Sequence, residues 1–219
     1  MDFIAILRYI GALSVLIPLT LGVINYRNLI TELKVILYLL VFVGVFDLML
    51  FFSVYIISNN ELITKIFTLV EYGFIAIFYI LALQDYFNIK KLLVIGSVIF
   101  GILFINSFVL KNSNPLDSFS RSLESIVIII TSLIYAFKTS ISTNSTNSII
   151  NTTSERSLAI INIIFLIYFS LIFFIFLFGN ILIKHPILFY NIWIVNALLS
   201  IITNLLFAYS LWTVQIQTK

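Results

Sequence analysis

Between Arg156 and Lys184 the chain runs without a single charged residue. A helix of about 20 apolar residues spans the roughly 30 Å hydrocarbon core of a bilayer, so this one stretch is long enough to cross a membrane. Further apolar windows of similar length place helices near residues 3–25, 34–58, 62–84, 90–110, 118–138, 157–180 and 187–212. The composition agrees: 62% of the residues are hydrophobic, only 10% are charged and the mean hydropathy is +1.18. A water-soluble fold is about 45–50% apolar and hides its apolar surface in one core of limited volume, so the excess here must face lipid. The runs are continuous and do not alternate residue by residue. That pattern belongs to helices and argues against a barrel of strands.

The expected architecture is therefore an all-α integral membrane protein. Residues 1–219 form a single domain of seven transmembrane helices, with no room for a soluble module. The opening residues reach the first helix without a basic lead-in or a cleavage site, so they read as a retained helix. The Ser/Thr/Asn run at 139–156 has no apolar periodicity and reads as a flexible loop. Pro18 falls inside the first span and predicts a kink there. An odd number of spans puts Arg27, Lys34, Lys90, Lys91, Lys138, Arg156 and Lys219 on one side and Arg8, Lys65, Lys111, Arg121 and Lys184 on the other. The richer side is expected to be cytoplasmic, with the N-terminus outside and the C-terminus inside. A multi-pass protein of a bacterial-type cytoplasmic (inner) membrane fits these features.

Several chemistries lose their residues at once. The chain has no Cys and one His, which removes thiol nucleophiles and the common metal motifs, and no cofactor is expected. The net charge of +3 is carried by scattered basic residues, with Lys90-Lys91 the one adjacent pair, so no nucleic-acid face is expected. The seventh span contains no Lys, so microbial rhodopsins, which hold retinal on a lysine there, are not matched. Small sugar transporters with a three-plus-one-plus-three plan are echoed faintly. Arg8 opens the first span as Arg121 opens the fifth, and Val70-Glu71 corresponds to Val195-Asn196. The Pro-Gln pair of one branch of that group is absent, and no family is assigned.

The informative residues are the ionisable and amide groups within the apolar windows, because a charge near the bilayer centre costs about 2.5–3.5 kcal/mol and must find a partner or water. Counted from the outer ends at about 1.5 Å per residue, Asp47 and Glu71 lie at one depth, roughly 14–17 Å down. No basic residue shares that level. Arg8, Arg121 and Glu124 lie nearer the outer surface, joined by Asn106 and Asn191, with Asn196 deeper. Arg121 and Glu124, three residues apart, are placed to pair with each other. The inner half offers mainly Asn162, Thr203 and Asn204.

Polar residues also recur at helical spacing: Thr64, Thr68 and Glu71; Glu124, Thr131 and Tyr135; Asn196, Ser200 and Asn204. The candidate ligand- or proton-binding residues are thus Asp47, Glu71, Arg8, Arg121, Glu124 and Asn196, around a pocket in the outer half of the bundle. The expected partners are the lipid bilayer, a small polar ligand and a membrane-protein partner. The leading function is a small-molecule-binding or sensing module. A proton-coupled secondary transporter and a non-catalytic subunit of a membrane complex are the alternatives. An intramembrane lipid enzyme using Asp47 and Glu71 as acid and base ranks last, for lack of any supporting motif.

Overall fold

A computed structural model describes residues 3–56, 61–84, 91, 93–98, 101–102, 118–146, 153–179 and 184–216. Among them there is helix and no strand. The elements are α1 (Phe3–Ser14), α2 (Leu16–Ile24), a 3₁₀ turn (Tyr26–Asn28), α3 (Thr31–Ile56), α4 (Glu61–Ala82), α5 (Ser118–Thr146), α6 (Thr153–Leu177) and α7 (Pro186–Ile216). Residues 93–98 and 101–102 are helical as well and lie in the expected fourth span.

One residue, Val15, separates α1 from α2 close to where Pro18 predicts a kink, and its own dihedrals stay helical (φ −63°, ψ −23°). Proline has no N–H to give the carbonyl of Ser14 and its ring crowds that turn, so the helical hydrogen bonding is interrupted at Val15, three residues upstream. The Ser14 hydroxyl turns back to the Gly11 carbonyl at 2.6 Å. Asn204 of α7 then donates from Nδ2 to the Ser14 Oγ at 2.8 Å, which ties the break to a neighbouring helix.

Among the described residues four stretches are long and apolar enough to cross a membrane: Thr64–Ala82, Arg121–Ser140, Ser154–Leu177 and Tyr190–Val214. Tyr9–Ile24 is a shorter apolar helix. α3 has 26 residues but carries Glu32, Lys34 and Asp47. The chain is thus an all-helical membrane protein by the length and composition of these helices. Their outward residues are mostly apolar, including Ile163, Ile167, Leu171 and Phe174 along one face of α6, with exposed polar residues such as Thr64, Ser140, Glu155 and Asn191 near the ends. In water such a face would have to be covered; lipid covers it at no cost.

The contacts give each helix a direction. α2 and α3 run antiparallel, with Gly22 against Leu37 and Gly44 against Leu19 and Val15. α3 and α4 run antiparallel through stacked rings: Phe46 on Phe67 with centroids 4.1 Å apart and Phe42 near Phe74 at 6.0 Å. α4 and α5 are parallel, since Glu71 meets Arg121 and Tyr79 meets Ser132 further along both. α5 and α6 are antiparallel, as are α6 and α7, where Phe165 meets Phe207 and Ser157 meets Ser210 and Thr213. α1 and α2 run parallel to α7: Gly11 lies by Ala197, Ser14 by Asn204 and Asn25 by Leu211. One end of the bundle therefore holds Arg121 and the other holds Ser157. Between the two, Ile75, Phe78, Tyr79, Ile128, Phe165 and Phe169 form the middle of a continuous buried core.

Two expectations are corrected. The run at 139–156 is not a loop across its length: α5 continues to Thr146 and α6 begins at Thr153, with 147–152 outside the described residues. Ser and Thr cost a helix only a few tenths of a kcal/mol each, and their hydroxyls return to the preceding turn. Thr139 does so, donating to the Ala136 carbonyl at 2.9 Å and to that of Tyr135 at 3.2 Å. Nor is the end that holds Ser157 poor in polar groups. Ser157 donates to the Ser210 carbonyl at 3.0 Å and shares a hydrogen bond with Thr213, while Ser210 donates back to the Ser157 carbonyl at 3.1 Å. Short side chains that look inert in sequence lock two helices together there.

Candidate functional site

The polar stripes read from spacing are largely inward. Thr68 and Glu71 on α4, Glu124, Thr131 and Tyr135 on α5, and Asn204 on α7 are buried. Thr64 is exposed, and Asn196 and Ser200 are half-buried. Where α4, α5 and α6 meet near one end of the bundle, these stripes build an ionic cluster.

Arg121 enters from the first turn of α5 and its guanidinium turns into the protein, leaving the side chain 13% exposed. Nη1 donates to Glu71 Oε2 on α4 at 2.5 Å and to Glu124 Oε2, one turn along α5, at 3.0 Å. Two rings hold the guanidinium by their faces: Phe67 of α4 at 5.5 Å and Phe176 of α6 at 5.8 Å. Such cation–π contacts add most where the cation is desolvated. The expected Arg121–Glu124 pair is present. The expectation that no base reaches the Asp47/Glu71 level is overturned, because an arginine side chain is long enough to bridge the two depths. Glu71 is thus the second carboxylate on Arg121.

The cluster is not closed. Glu124 is fully buried, yet among the described residues its Oε1 has no hydrogen-bond partner, and neither does Arg121 Nε. One unmade acceptor and one unmade donor lie on the same pair of side chains. Two carboxyl groups share one guanidinium, and the half-buried Asp47 on α3 lies within electrostatic reach of Glu71. Tyr168 of α6 lies within electrostatic reach of all four groups. Among the described residues no three Asp, Glu or His converge as metal ligands would.

The other sequence candidates stand apart from this cluster. Asn196 is on α7, its Oδ1 buried without a partner, and no hydrogen bond joins it to Arg121 or Glu124 among the described residues. Arg8 is on α1 with its side chain outside the described set, and Asn106 also lies outside it. Asn191 is exposed.

Toward the other end, a second polar group was not legible as a unit in the sequence. Tyr79 is fully buried, its Oη hydrogen-bonded to Ser132 Oγ at 2.5 Å and donating to Asn162 Oδ1 at 2.9 Å. Asn162 Nδ2 closes the triad on the Ser132 carbonyl at 3.1 Å. Asn162 also lines a cleft of ≈ 180 Å³ between α5 and α6, with Tyr135 and Thr139. The signal that could have found this triad is its spacing: Tyr79 lies two turns after Glu71, and Ser132 two turns after Glu124. No family model, no curated protein and no solved structure matches this chain.

Proposed function

We propose that the chain is a seven-helix membrane module that binds a small zwitterionic solute at the Glu71–Arg121–Glu124 cluster and responds to it through helix packing. The observation that carries this reading is the buried pair of unmade hydrogen bonds, on Glu124 Oε1 and Arg121 Nε. A buried polar atom without a partner costs roughly 1–3 kcal/mol, more when charged, and such sites occur where a ligand completes the set. An ammonium group offers donors to Glu124. A carboxylate on the same solute accepts from Arg121 Nε. The three carboxyl-bearing or basic helices, α3, α4 and α5, would then be drawn together by one molecule, which gives binding a mechanical output.

Helix directions support the count of seven. α4 and α5 are parallel neighbours, so residues 83–117 have to return from the end of α4 to the start of α5, which is one further crossing. The helical residues at 93–98 lie along that route: Gly96 packs against Val127 and Tyr72, and Tyr72 Oη donates to the Leu93 carbonyl at 3.4 Å. Sidedness follows from charge. Arg27, Lys34, Lys138 and Arg156 flank the helix ends around Ser157, whereas at the opposite end, among the described residues, Arg121 is ion-paired, Lys65 is buried and Lys184 is exposed. The end holding Ser157 is therefore read as cytoplasmic and the ionic cluster as facing outward.

Thermal unfolding of the detergent-purified protein against a panel of amino acids and betaines tests the proposal. At least one member should raise the midpoint, and Glu124→Gln or Arg121→Gln should each abolish the shift. A shift that survives both substitutions, or none across the panel, overturns the assignment.

A further inference from the structure

Glu71, Ile75 and Tyr79 recur at every fourth position of α4, and Glu124, Ile128 and Ser132 do so on α5. The two helices are parallel and in register, so the patterns lie side by side as three layers: carboxylates, isoleucines, hydroxyls. Four residues of helix rise about 6 Å, which puts roughly 12 Å between the carboxylate and hydroxyl layers. α6, running the other way, contributes to the same levels. Tyr168 stands by the carboxylates, Phe165 belongs to the apolar layer and Asn162 to the hydroxyl layer.

The middle layer is tightly closed. Ile75, Ile128 and Phe165 are 1%, 2% and 3% exposed and belong to one core cluster. An apolar constriction about one helical turn thick, set between polar layers, excludes water and gates by dewetting. Beyond it the Tyr79–Ser132–Asn162 triad touches the α5–α6 cleft through Asn162, and Thr139, Ser140 and Ala159 line the same cleft toward the Ser157 end.

We infer that the interior between α4, α5 and α6 is a proton path, held shut in this conformation by the Ile75–Ile128–Phe165 layer. The chemistry of the two stations selects the proton. On one side Glu124 presents a carboxylate oxygen that makes no hydrogen bond among the described residues, faced by Arg121, Glu71, Tyr72 and Tyr168. On the other side stand two hydroxyls and an amide, which both donate and accept and carry no charge to hold a metal cation. Such a set passes a proton by exchanging hydrogen bonds. The balance is simple. A proton from one aqueous side neutralises the Glu124 carboxylate; when the apolar layer parts and admits water, it leaves Glu124 for that water and then the triad, and is released through the cleft. Glu124 regains its charge, and one proton has moved.

This inference rests on the position of the ionic cluster and not on its binding a solute. Its test uses the full chain in phosphatidylethanolamine–phosphatidylglycerol liposomes, with a trapped pH-sensitive dye and a valinomycin-clamped potassium potential. Ile128→Ser, which wets the closed layer, should raise proton influx at least tenfold over the unsubstituted protein. Adding Glu124→Gln should return it to that baseline, and the trapped dye should stay inside throughout. Ile75→Thr is a milder opening of the same layer, expected to act in the same direction, and decides the matter if the serine variant does not elute as a monodisperse species. Influx equal to that of empty liposomes in both openings overturns the path, as does influx that persists with Glu124→Gln. A failed thermal-shift panel with intact Glu124-dependent flux would remove the solute-binding reading alone.

Discussion

Two glycines show how much a single side chain decides in this bundle. A Cβ on Gly22 would overlap Leu37 Cδ1 and lie 3.4 Å from Leu211 Cδ1, whereas one on Gly73 meets nothing within 4 Å. Gly22→Ala should therefore cost about 1–3 kcal/mol through overpacking, and Gly73→Ala should gain about 0.5–1 kcal/mol from lost backbone freedom. Unfolding midpoints of the two variants in one detergent should move in opposite directions. Neither environment is legible in sequence, where both are glycines in apolar helices. The ionic cluster was partly legible at this scale. Glu71, Arg121 and Glu124 declare themselves as charges inside apolar runs, and their meeting follows from helix spacing for one pair alone. The Arg121–Glu71 contact joins residues 50 apart in the chain. It needs the parallel packing of two helices that no local signal encodes.

At the scale of the element, apolar windows located the helices well because the bilayer forces every backbone group to be satisfied within its own segment. Ends were read less well. α5 outlasts its apolar window and continues into Ser and Thr as far as Thr146, since beyond the lipid a helix needs only hydrogen bonds and tolerable propensities. The chain has no cysteine, which suits single-cysteine scanning. Positions 139–146 should react with a water-soluble maleimide in a pattern that repeats every three to four residues, and a flat profile would restore the loop. Pro18 was the reverse case, a local steric rule that correctly marked a break. The hydrogen bond from Asn204 that steadies this break comes from α7 and was not foreseeable.

For the whole molecule, the proposed seven-span topology rests on helix direction: α4 and α5 are parallel to each other, and α1 and α2 are parallel to α7. Single cysteines placed near the two chain ends should accordingly label from opposite faces of sealed, oriented vesicles; labelling from one face would refute the seven-span topology. The long uncharged run between Arg156 and Lys184 settled by itself that this chain belongs with lipid, because no amount of folding in water can hide so much apolar surface in 219 residues. It also pointed to helix, because the hydrocarbon core admits no unpaired backbone and the run lacks the residue-by-residue alternation of a barrel strand. What only the tertiary structure decided is which polar residues meet. Two carboxylates converge on Arg121, and Tyr79, Ser132 and Asn162 form a separate layer beyond a buried apolar turn. The reason is physical: hydrophobicity acts on each segment alone and without direction, whereas pairing of buried polar groups depends on register and orientation between helices far apart in the chain.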